Sequence, residues 1–122
     1  LSLVGSEMCI RDRALNADVR NLAVGGSPCY AQLADHLPDR AFDLISIAYG
    51  VCDFQTDLPL ESFRRNSHRL IDALHQAHPR CPIVLITPIN WNGADRLNGL
   101  GLSIRDYRQV LRDISLAACR RQ

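Results

Sequence analysis

Apolar and polar positions along this chain switch between a period of two and a period near 3.6, and the switches mark out its elements. The run from Val19 to Val24 (Val-Arg-Asn-Leu-Ala-Val) stops at Gly25-Gly26 and is predicted to be a strand. Ser27-Pro28 then opens a predicted short helix over 28–37. Ser27 is placed as its N-cap and Pro28 in the first turn, where a missing N–H costs nothing. Phe42 to Tyr49 is apolar except at Asp43 and Ser46, as expected of a strand covered on both faces. From Leu60 to His78 the period lengthens. Leu60, Phe63, Ser67, Leu70, Leu74 and Ala77 form one stripe, and Arg64, Arg65, His68, Arg69, Asp72 and His75 fall on the other side. That is an amphipathic helix, and Pro79 ends it. Ile83 to Ile89 is predicted as a second buried strand, broken late by Pro88, and a polar, Gly-containing loop follows from Asn90 to Leu102. Ser103-Ile-Arg-Asp106 has the spacing of a capping box opening a last helix, with Ile104, Tyr107, Val110, Leu111 and Ile114 inward.

The order β-α-β-α-β-α predicts an α/β fold: a parallel sheet with helices on its faces, in three α/β/α layers. In open parallel sheets ligands bind beyond the carboxyl ends of the strands. Three segments here leave an apolar run at Gly or Pro and turn polar: 21–27, 47–53 and 86–92. Their ends make Gly25, Gly26, Gly50, Cys52, Asp53, Asn90 and Trp91 the candidate rim of one site.

The first thirteen residues stand apart. Leu1 to Arg13 shows no hydrophobic period, and its basic residues follow the apolar stretch, the reverse of a signal peptide. Leu3 to Asp12 (Leu-Val-Gly-Ser-Glu-Met-Cys-Ile-Arg-Asp) resembles the translation of a transposase-end sequencing adapter. Residues 1–13 are therefore expected to be a non-native leader, and 14–122 the natural, incomplete domain.

Composition narrows the function classes. With 47% apolar and 22% charged residues the chain has ordinary globular values, far from disorder. A formal net charge of +1, with arginines scattered along helices, argues against a nucleic-acid partner. No apolar run reaches the ~20 residues of a membrane span. Cys29, Cys52, Cys81 and Cys119 lie too far apart in sequence for zinc-site spacing, so no metal is expected.

No residue is readable as nucleophile or base. Gly25-Gly26-Ser27-Pro28-Cys29 approaches a G-x-S-x-G nucleophile elbow, but Cys29 replaces the last glycine. Pro28 also lacks the N–H that the residue after a nucleophile donates to the oxyanion. Ser27 is accordingly read as a helix cap. His68 and His75 fall on the polar face of the long helix and His78 in its last turn, which is the pattern of solvated histidines. His36 has no identified serine or aspartate partner.

The sequence of motifs resembles the SGNH (GDSL-type) hydrolases. Asn-Leu-Ala-Val-Gly-Gly-Ser at 21–27 is followed by the apolar strand closing on Gly50-Val-Cys-Asp53. Then come the long helix ending in His-Pro-Arg-Cys-Pro, the strand Ile-Val-Leu-Ile-Thr-Pro-Ile, and Gly-Leu-Ser-Ile-Arg-Asp-Tyr-Arg at 101–108. The resemblance runs from about Val19 to about Arg112. It implies a partial flavodoxin-like doubly wound sheet, a small-molecule ester substrate, no cofactor, and Ser acyl transfer. It also implies an oxyanion hole to which Gly26 (or Gly25, one residue away) offers a backbone N–H. Cys52 stands where the family places an Asn donor, and a thiol donates more weakly than an amide; a small residue packed at a strand end is the other reading of Cys52. The family's Gly-Asp-Ser block is absent, as is a C-terminal Asp-x-x-His. A flavodoxin-like order puts strand one between strands two and three. The strands here are then the second, third and fourth, and the chain is expected to be a marginal, inactive fragment of an esterase that exposes apolar surface. A reading of another class stays open: a non-catalytic flavodoxin-like module holding an anion or nucleotide at Gly25-Gly26 and the following helix.

Overall fold

A computed structural model describes Ala14 and residues 16–22, 25–36 and 40–120. The expected leader, 1–13, lies outside the described residues. A 3₁₀ helix (Ala31–His36) leads into strand β1 (Ile45–Ala48), and a short helix α1 (Val51–Gln55) follows at once. The long helix α2 (Leu60–Ala77), strand β2 (Ile83–Ile86) and helix α3 (Ile104–Cys119) complete the order. β1 and β2 pair in parallel, Ile45 opposite Ile83 and Ala48 opposite Ile86. The crossover between them is α2, the βαβ unit that parallel pairing requires.

The core follows the helical stripes. Phe63, Ser67, Leu70 and Leu74 of α2 are buried, as are Ile104, Tyr107, Val110, Leu111 and Ile114 of α3. Phe63 and Tyr107 have no exposed surface and meet with ring centroids 5.3 Å apart. Ile45 and Ile47 of β1 close this core from the sheet side. At the start of α3 the Asp106 carboxylate accepts the Ser103 N–H at 2.7 Å and the Ser103 hydroxyl at 3.1 Å. The capping motif read from the sequence thus sets that helix boundary.

Several expectations are corrected. Over 19–22 the chain forms no strand, although Val19 is buried; 23 and 24 lie outside the described residues. A strand needs a hydrogen-bonding neighbour. In the 2-1-3-4 order the neighbour of this segment is the first strand, a position no described residue takes. The helix expected over 28–37 is a 3₁₀ helix of six residues. Ser27 does not cap it: its hydroxyl donates to the Pro28 carbonyl at 3.0 Å. Residues 37–39, which include the end of that expected helix, lie outside the described residues. The third expected strand ends at Ile86 and is not fully buried; Val84 is 46% exposed and Ile89 73%. Pro88 has no N–H to extend the ladder. The described residues supply a sheet and the helices α2 and α3 over the side chains of Ile45, Ile47, Ile83 and Leu85. On the opposite face Ala48 and Val84 are exposed.

Candidate functional site

The carboxyl end of β1 runs straight into a turn built around Asp53. Gly50 sits at φ +122°, a conformation open to glycine and costly for other residues, and this reverses the chain into α1. Asp53, in the first turn of α1, reaches back to accept the Gly50 N–H on Oδ2 at 3.1 Å. Its other oxygen, Oδ1, accepts the Cys29 N–H at 2.9 Å. One side chain therefore binds the strand-to-helix turn to the segment that follows Gly25-Gly26. Burial pushes the Asp53 carboxyl above its usual range, opposed by the backbone N–H groups of Cys29, Asp53 itself and Gly50. Asp53, one of the residues expected to line the site, is wholly buried.

Cys29 is fixed on three sides. Besides its N–H bond to Asp53, its carbonyl accepts from Asn66 Nδ2 at 3.2 Å, and its sulfur accepts from the Ser67 hydroxyl at 3.8 Å. Burial raises the thiol to about 12; the Ser67 hydrogen bond opposes the rise and the Asp53 charge adds to it. A thiol with that value is inert at neutral pH. In the native protein iodoacetamide is expected to label the exposed Cys119 and spare Cys29 until denaturant is added. Peptide mapping by mass spectrometry reads this directly, and equal labelling of both in native buffer would contradict the buried geometry.

The second junction meets the first through close packing. A Cβ on Gly50 would stand 2.6 Å from Pro88 Cγ and 3.6 Å from Phe63 Cζ, so only glycine lets the Pro88 ring lie against this turn. Pro88 is buried and held from α3: Arg108 Nε donates to its carbonyl at 2.7 Å. The same guanidinium donates through Nη2 to Asn90 Oδ1 at 2.5 Å. Trp91 is half-buried and packs edge-on to Phe54 of α1, with centroids 5.9 Å apart.

The loop beyond is organised by Asn98. Its Oδ1 accepts the N–H groups of Leu100 and Leu102, each at 3.0 Å. Its Nδ2 donates to the Phe54 carbonyl at 3.2 Å and to Tyr107 Oη at 3.1 Å.

The structure thus draws Gly50, Asp53 and the Pro88–Trp91 segment into one assembly at the carboxyl ends of β1 and β2, and ties Cys29 to it. Gly25 and Gly26 stand exposed four and three residues before Cys29, with open space around their Cα atoms, and Gly26 has φ +74°. Cys52 is half-buried in the first turn of α1. Sequence reasoning missed α1 itself, Arg108 and Asn98. Asn98-Gly99 is a turn signal that could have marked the last of these. Nothing in the pattern distinguishes Arg108 from the other arginines on α3.

Among the described residues no three His, Cys, Asp or Glu side chains converge as metal ligands, and no helix is long and apolar enough to cross a membrane. No curated protein and no solved structure matches the chain. The model of the GDSL-like lipase/acylhydrolase family matches residues 9–120. That match spans nearly the whole chain and takes in all three junctions, so a hydrolase-type function follows: this chain belongs to the GDSL-like lipase/acylhydrolase family.

Proposed function

We propose that this chain carries the oxyanion and rim portion of an esterase that cleaves carboxylic esters by serine acyl transfer. The reading rests above all on Asp53, which joins the Gly50–Cys52 turn to Cys29, three residues after Gly26. In such a reaction a serine oxygen attacks the ester carbonyl, the alcohol leaves with a proton, and water releases the acid. The negative charge that develops on the carbonyl oxygen needs preorganised donors. Gly26 supplies a backbone N–H that no side chain screens, with Gly25 one residue away, and Cys52 supplies a weaker donor than an amide. Gly50 shapes the turn, and Asn90 and Trp91 form the rim where an acyl or sugar group rests. The nucleophile and base are not among these 122 residues, so the chain by itself is inactive. The anion-binding alternative has less support. A six-residue 3₁₀ helix follows Gly25-Gly26, and Pro28 removes one of the N–H donors such a site uses.

The test is to resequence the locus across both ends of this frame and assay what it encodes on p-nitrophenyl acetate. The 122-residue chain is expected to match buffer. A longer frame bearing Gly-Asp-Ser upstream and Asp-x-x-His downstream is expected to hydrolyse the ester, and Cys52→Asn in that frame to raise kcat by up to ~100-fold. A longer frame with both blocks and no esterase activity on a panel of acyl esters would overturn the proposal.

A further inference from the structure

Asn90 is exposed, yet its amide does not choose its own orientation. The Arg108 guanidinium spends one N–H on the Pro88 carbonyl at 2.7 Å and another on Asn90 Oδ1 at 2.5 Å. Arginine has no acceptor atom, so only the oxygen end of the Asn90 amide satisfies it. The nitrogen end, with two N–H donors, is left over. Among the described residues no acceptor engages Asn90 Nδ2. Arg108 itself is anchored on α3, whose Tyr107, one residue earlier, is completely buried. The hydrogen bonds that Arg108 makes are charge-assisted, the stronger kind. Pro88 is in turn pressed against Gly50, so the clamp ties the Asn90 amide to the strand-end turn at the heart of the site.

We propose that Arg108 is a positioning residue that locks the Asn90 amide with Nδ2 as a free, preset donor, so that the rim recognises an oxygen acceptor on the substrate. This rests on the esterase reading for its ligand class: the ester carbonyl itself or an acyl or ring oxygen near it. The locked amide loses little freedom when a ligand arrives, which is how preorganisation raises affinity. Lysine cannot replace the arginine fully, because a single ammonium does not match two acceptors in the fixed fork of a guanidinium.

The test uses the 122-residue chain, whose single tryptophan adjoins the clamp, and needs no catalysis. Arg108→Ala is expected to red-shift Trp91 emission, increase its quenching by acrylamide and move the Asn90 side-chain amide signals in a ¹⁵N correlation spectrum. Arg105→Ala, an exposed change on the same helix, is expected to do none of these. Arg108→Lys should fall between, and it serves if the alanine variant does not fold. Titration with methyl acetate as probe should shift the Asn90 amide pair in the unaltered chain and not in Arg108→Ala. Asn90→Asp keeps an acceptor for Arg108 but removes the donor. It should retain the Trp91 emission, and the probe-induced shifts of the neighbouring Trp91 signals should be lost. Unchanged Trp91 and Asn90 signals in Arg108→Ala would overturn the positioning role. No shift of the Asn90 amide by the probe in the unaltered chain, or an undiminished response in Asn90→Asp, would overturn the acceptor recognition. Either result leaves the esterase reading standing, since that is decided separately by hydrolysis in the longer frame.

Discussion

Gly50→Ala is expected to dismantle the candidate site and lower stability by ~2–6 kcal/mol, combining backbone strain with overpacking. At φ +122° an alanine pays for a conformation that L side chains rarely adopt. Its Cβ would also stand 2.6 Å from Pro88 Cγ and 3.3 Å from Cδ. Neither neighbour yields easily: Pro88 is a rigid ring whose carbonyl is held by Arg108, and behind the turn lies Phe63, which is completely buried. Thermal unfolding followed by circular dichroism checks the loss, and a midpoint unchanged from the parent chain would show that the turn is not packed as described. Gly26→Ala is the informative contrast. Its φ of +74° also disfavours alanine, but nothing lies within 4 Å of the added carbon. It should show the backbone strain of ~1–3 kcal/mol alone.

Removing the Asp53 carboxylate is expected to destabilise by ~2–4 kcal/mol. Asp53→Ala orphans two backbone N–H groups, of Cys29 and Gly50. Each buried unsatisfied donor costs roughly 1–3 kcal/mol, and relief from burying a carboxylate offsets part of the sum. The pH dependence gives a second, independent reading. Burial raises the folded-state pKa of Asp53 above the ordinary 3.8. The folded protein therefore holds this proton more tightly than the unfolded chain, and stability falls as pH rises wherever the folded state binds more protons. The contribution is fully present below 3.8 and is lost as pH climbs through the raised folded-state value. Asp53→Asn has no such proton. Its stability relative to the parent should therefore improve from acidic towards neutral pH, measured by urea unfolding at a series of pH values. A parent chain that gains on Asp53→Asn over that range would mean that the two N–H bonds outweigh burial.

The elements that were legible in the sequence are those whose signal is local and repeated. Helix α2 carries five turns of one stripe and ends at Ala77, just ahead of Pro79, and α3 opens on Ser103 and Asp106; both boundaries agree with the pattern to within a residue. The buried set of α3, Ile104 through Ile114, could be written down from spacing alone. Single residues at turns were legible where chemistry is restrictive: Gly50 was marked by the strand that stops on it, and the structure puts its Cα against Pro88.

What failed to read has the opposite character. The segment 19–22 has strand composition, but a strand exists only when another strand satisfies its N–H and C=O groups, and composition does not reveal whether that partner is at hand. Helix α1 is five residues long and has no period to detect; it forms because Gly50 turns the chain and Asp53 closes back on the Gly50 N–H. Asp53 itself was visible as a polar residue at a strand end, and its burial was not. An aspartate becomes a buried brace only when a backbone N–H 24 residues away, that of Cys29, comes within 2.9 Å. The same holds for Arg108, one of several arginines on its helix, which became a clamp because Pro88 and Asn90, 20 and 18 residues earlier, fold against it. By itself, then, the sequence determined the two long helices, the Ser103–Asp106 cap of the last, the parallel α/β class and the glycine that follows β1, since neighbours within a few residues decide those. Only the tertiary structure decided which strands pair, which polar side chain joins the Gly50 turn to Cys29 and which arginine binds Pro88 and Asn90, because each depends on groups far apart in the chain meeting at hydrogen-bond distance.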